Sequence, residues 1–74
     1  MTISELMDHS IIGSIKSIED YLEPLSPVEQ LFETRRLLDE LRLTTLKSTY
    51  QAIAAYRLKK WADKATIEIK KGNL

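Results

Sequence analysis

Only Gly13, Gly72, Pro24 and Pro27 supply the backbone breakers of this chain. With so few, and the prolines clustered, the long stretches between them are most naturally helical. The apolar residues follow the matching rhythm. Ile3, Met7, Ile11, Ile15, Ile18 and Leu22 recur at spacings of four and three, with Leu6 beside them, which is the stripe of an amphipathic helix. Thr2 and Glu5 have capping-box spacing, the hydroxyl accepting from the Glu5 amide while the carboxylate reaches back. A first helix is therefore expected over about 3–22. Its weak points are Asp8-His9-Ser10 and Gly13, where turn-prone residues and a flexible backbone could leave a short N-terminal turn and a helix from Ser14.

Pro24-Leu25-Ser26-Pro27 marks the clearest boundary. Pro24 biases Glu23 away from helical geometry, Ser26 is a strong N-cap, Pro27 suits the first helical position, and Glu29 completes a second capping box. The helix that follows, 27–43, is expected to turn Val28, Leu31, Phe32, Leu38 and Leu41 to the core, with Leu37 at the margin. Two threonines, Thr44 and Thr45, then lower helix propensity and can cap a new helix. The apolar stripe resumes through Leu46, Tyr50, Ile53, Ala54, Leu58, Trp61, Ala62 and Ala65. A junction near 43–46 and a third helix over about 46–69 follow, the competing reading being one continuous helix from Pro27. Residues 65–70 alternate apolar and polar, which also fits a short C-terminal strand, although a lone strand needs a partner. The expected fold is all-α: one domain, 1–74, of three helices.

At 74 residues the chain lies near the lower limit for folding alone. Below ~70–80 residues one core rarely supplies more than ~3–5 kcal/mol without a staple. There is no cysteine, hence no disulfide, thiolate metal site or thiol nucleophile. Tight helix packing or self-association remains, so a dimeric bundle is expected, with Leu38, Leu41, Leu46, Tyr50, Ile53, Leu58 and Trp61 at its interfaces. Hydrophobic residues at 43% and charged residues at 30% are globular proportions. No apolar run approaches the ~18 residues of a membrane span, and Met1–Glu5 lacks the basic start of a secretory signal. A cytoplasmic protein is the expectation.

The formal net charge of +0 conceals a gradient. Residues 1–33 hold Glu5, Asp8, Glu19, Asp20, Glu23, Glu29 and Glu33 against Lys16 alone. Residues 57–74 hold Arg57, Lys59, Lys60, Lys64, Lys70 and Lys71 against Asp63 and Glu68. One reading packs the acidic first helix beside the basic last one, within a chain or across a dimer. The other offers Arg57, Lys59, Lys60, Lys64, Lys70 and Lys71 to nucleic acid, where cations neutralise phosphates and release counterions. On a helix Lys60, Lys64 and Lys71 share one flank while Lys59 and Lys70 point away, so the charge wraps round the polar side as on a solvated face.

Catalytic chemistry finds no foothold. Two isolated glycines cannot cradle a phosphate. His9, flanked by Asp8 and Ser10, cannot form a local nucleophile–base pair, since neighbours on a helix diverge by about 100°. A metal site needs three or four protein ligands, which one histidine and no cysteine do not suggest. The pairs Glu19-Asp20 and Asp39-Glu40 face different ways instead of across a cleft. No catalytic, cofactor or metal residue is assigned, and no small-molecule substrate is expected. Phe32, Tyr50 and Trp61 fall on apolar stripes, while Tyr56 lies off the stripe on the Lys60 side.

The segment Arg36-Leu37-Leu38-Asp39-Glu40-Leu41-Arg42-Leu43-Thr44-Thr45-Leu46-Lys47-Ser48-Thr49-Tyr50, continued by Gln51-Ala52-Ile53-Ala54-Ala55-Tyr56, resembles the N-terminal helical region of IstB-type transposition helper ATPases. There a Leu-Arg-Leu helix end precedes a short turn and a second amphipathic helix. The likeness covers about twenty residues. Thr44 stands where the turn proline is usual, and the acidic first helix has no counterpart. The resemblance implies a helical module contacting a transposase, DNA or sister subunits, without ATPase activity. Together these readings predict a non-enzymatic protein–protein interaction module, an adaptor or regulator acting as a homodimer, or alternatively a DNA- or RNA-binding accessory factor.

Overall fold

The computed structural model describes residues 2–6, 10–43 and 48–72, and every regular element among them is helical. A single turn, α1 (Ile3–Leu6), precedes three longer helices, α2 (Ile11–Leu22), α3 (Pro27–Leu43) and α4 (Ser48–Lys70). The radius of gyration is 12.0 Å, against about 11 Å for a compact chain of this length.

The expected first helix is divided. Ser10 takes an extended conformation (φ −112°, ψ 154°) and caps α2. Its hydroxyl accepts from the Gly13 amide at 2.9 Å, and its carbonyl accepts from the Ser14 amide at 3.1 Å. A serine that satisfies the first-turn amides stabilises a helix start better than a helix interior. Apolar spacing runs through this break because Ile3 and Leu6 on one side and Ile18 and Leu22 on the other enter the same core.

The second boundary matches expectation. Glu29 N donates to Ser26 Oγ and Ser26 N donates to Glu29 Oε1, both at 3.3 Å, a reciprocal capping box opening α3 at Pro27. The junction 44–47, with Leu46, lies outside the described residues. Beyond it α4 runs as one helix to Lys70, so residues 65–70 are helical and not the alternative strand. A lone strand would have left its amides unpaired, whereas these continue the helical ladder. Lys71 N donates to the Ile67 carbonyl, and Gly72, at φ +79°, ends the helix in the left-handed conformation that glycine tolerates.

The core lies where α1, α2, α3 and α4 meet: Ile3, Leu6, Ile18, Leu22, Leu37, Leu41, Ala54 and Leu58 are all buried. The inward stripe of α3 differs from the expected one. It is Gln30, Thr34, Leu37 and Leu41, while Val28 and Phe32 are 52% and 70% exposed. The polar pair is drawn inward by backbone. Gln30 Nε2 donates to the carbonyls of Leu22 and Leu25, each at 3.0 Å, closing the exposed end of α2. Thr34 Oγ1 donates to the Leu31 carbonyl at 2.9 Å. Val28 and Phe32 each stand two residues from one of these, about 200° round the helix, and so face away.

Candidate interaction surfaces

Two flanks among the described residues combine exposed apolar or aromatic side chains with charge. The first lies where the C-terminal end of α2 meets the first turns of α3. Tyr21, Leu25, Val28 and Phe32, with Glu29 and Glu33, line an open hollow of about 390 Å³. The turn at 23–26 carries Leu25 back beside α3, and the inward commitment of Gln30 and Thr34 leaves Val28 and Phe32 as the outer wall. Of its two carboxylates, Glu29 is exposed and Glu33 half-buried.

One wall of this hollow is fixed by a charged ladder. Tyr21 Oη donates to Glu33. Arg36 Nη2 donates to Glu33 Oε1 at 2.8 Å, and Arg36 Nε to Glu33 Oε2 at 3.0 Å, a two-point grip. Arg36 also pairs with Glu40, which accepts from the Ile3 amide at 3.2 Å. The ladder thus ties α1, α2 and α3 together. Donation first from Arg36 and then from Tyr21 pulls the Glu33 carboxyl down to about 2. The same contacts raise Tyr21, through its bond to Glu33 first and burial second. Arg36 is raised as well, chiefly by its bonds to Glu33.

The second flank is basic and belongs to α4. Lys60, Lys64 and Lys71, with Asp63, Ile67 and Glu68, line one shallow groove, and Arg57, Lys60, Trp61 and Lys64 line another. Lys60 Nζ stands 4.9 Å from the Tyr56 ring centre and Lys64 Nζ 4.8 Å from that of Trp61. These are cation–π placements in which each ring orders a lysine. The Lys60 ammonium lowers the Tyr56 phenol, first by hydrogen bonding and then by charge. Lys59 and Lys70 are exposed. Arg57 lies 3.7 Å from Glu19 of α2, so acidic and basic helices do pack side by side within one chain.

The expected interface residues divide. Leu41 and Leu58 are buried in the chain's own core, at 4% and 0% exposure. Leu38 and Trp61 are half-buried and pack against it, and Tyr50 and Ile53 are half-buried on α4. Leu46 and His9 lie outside the described residues. What the spacing argument missed is the hollow itself: Val28 and Phe32 carry the right period for a core face, and only the backbone bonds of Gln30 and Thr34 reveal that the core face is another. Among the described residues no helix is long and apolar enough to cross a membrane, and no three metal-binding side chains gather. The chain matches no protein-family model, and comparison with curated proteins and with solved structures gives no match.

Proposed function

We propose that this chain is a non-enzymatic protein–protein interaction module of the cytoplasm, an adaptor or regulator that works as a homodimer. One observation carries the reading: Phe32 and Val28 are exposed beside Tyr21 and Leu25 in a single acid-rimmed hollow, although the core has filled without them. Scattered exposed apolar residues are ordinary, but adjoining ones that include aromatic side chains are what interfaces use. The small size of the chain points the same way, since pairing buries apolar surface that one copy leaves wet. Sedimentation equilibrium of the wild type and of Phe32→Ser tests it. The expected result is a wild-type dimer and a variant shifted to monomer with unchanged helicity. A wild type that stays a folded monomer at all concentrations contradicts it.

A second reading rests on the alignment of Arg57, Lys60, Lys64 and Lys71 beside Tyr56 and Trp61, the combination of cations and rings that nucleic acid favours. The likeness of residues 36–56 to the helper ATPase region would place such binding in a DNA transaction. Asp63 and Glu68 interrupt the basic face, and Arg57 is engaged by Glu19, which weakens this reading. A gel shift at low ionic strength is its test. Retardation that falls steeply with salt and vanishes in Lys59→Glu/Lys60→Glu supports it, and no retardation discards it.

A further inference from the structure

We infer that the acid-rimmed hollow of one copy receives the basic end of α4 from a second copy. This rests on the homodimer reading and names the two surfaces that meet. The hollow offers apolar walls in Tyr21, Leu25, Val28 and Phe32, with the carboxylates of Glu29 and Glu33 in its lining and Glu29 exposed. The far end of α4 offers a groove where Ile67, 53% exposed, lies among Lys60, Lys64 and Lys71, with Asp63 and Glu68 also in the lining. A hollow lined by two carboxylates thus meets a groove in which lysines outnumber carboxylates three to two. The acidic and basic excesses of the two ends of the chain extend that complementarity, which fixes orientation and speeds encounter.

The fold also leaves that end of α4 within reach. Gln51 Nε2 lies 3.4 Å from the Leu41 carbonyl near the junction, and Arg57 meets Glu19 further along, so α4 runs back beside α3. With 17 residues in α3 and 23 in α4, α4 is longer by about 9 Å at 1.5 Å per residue. Lys64, Ile67, Lys70 and Lys71 on its last turns are exposed, where a second molecule can meet them. The acidic excess of residues 1–33 and the basic excess of residues 57–74 make each copy both donor and acceptor. Two copies related by a two-fold axis then form the contact twice and close.

Charge exchange tests the pairing. One variant carries Lys60→Glu, Lys64→Glu and Lys71→Glu. The other carries Val28→Lys and Glu29→Gln, which place a cation in the hollow and remove an anion from it, glutamine keeping the capping-box geometry of α3. Sedimentation equilibrium, with circular dichroism as the control for folding, should show each variant alone dimerising at least about tenfold more weakly than wild type. An equimolar mixture of the two should regain the mass of a dimer. The wild-type dimer should also weaken as ionic strength rises, which needs no variant. Variants that dimerise like wild type, a mixture that stays monomeric, or a dimer indifferent to salt overturns this inference and leaves the homodimer reading standing. A monomeric wild type overturns both, including one that retards nucleic acid through the same lysines.

Discussion

Leu37 and Phe32 sit within two turns of each other on α3 and meet opposite fates. Leu37 is fully buried and Phe32 is 70% exposed. Leu37→Ala should cost about 2–5 kcal/mol, the range for a leucine removed from a packed core. Phe32→Ala should leave the unfolding free energy of the monomer within about 0.5 kcal/mol of wild type. Urea titration of both variants at low protein concentration checks the assignment. Glu33 gives the residue scale a pH signature. Its folded carboxyl titrates at about 2 against an ordinary 4.5. A carboxylate held lower in the folded state contributes its stability above the ordinary value. That contribution is lost as pH falls from about 4.5 towards 2. Thermal melting across this window should therefore fall more steeply in wild type than in Glu33→Gln.

At the scale of elements, the boundaries written in side-chain-to-backbone chemistry were legible. Ser26, Pro27 and Glu29 predict the start of α3 to the residue, and the reciprocal bonds of Ser26 and Glu29 are present. Ser10 had the same chemistry, but an uninterrupted apolar stripe outweighed it in the reading of one helix over 3–22. Periodicity records which residues go inward and is silent about one extended residue between two segments that share a core. Ser10→Ala should cost about 1 kcal/mol, most of it from the start of α2, and hydrogen exchange there should quicken. The inward face of α3 was hidden for another reason. Gln30 and Thr34 are polar by type, and only the placement of the Leu22, Leu25 and Leu31 carbonyls makes their burial favourable. That placement depends on tertiary structure. The same gap concealed the hollow, because Val28 and Phe32 become a surface only once Gln30 and Thr34 become core.

For the whole molecule, the balance of charge matters less than its separation along the chain. Acidic α2 lies against basic α4 through Arg57 and Glu19, but both side chains of that pair remain partly exposed, which limits such a contact to about 0–1 kcal/mol. Most of the acidic and basic surface stays directed outward, next to the apolar residues that the core did not use. On the homodimer reading proposed above, a second copy covers that surface in a chain of 74 residues with no disulfide. Stability and association are then one equilibrium, and the urea midpoint becomes a function of protein concentration. Unfolding followed by circular dichroism at two widely separated protein concentrations therefore tests the central claim most directly. A midpoint that rises with concentration in wild type, and does so less in Phe32→Ser, is the predicted result. A wild-type midpoint unchanged by concentration would contradict it.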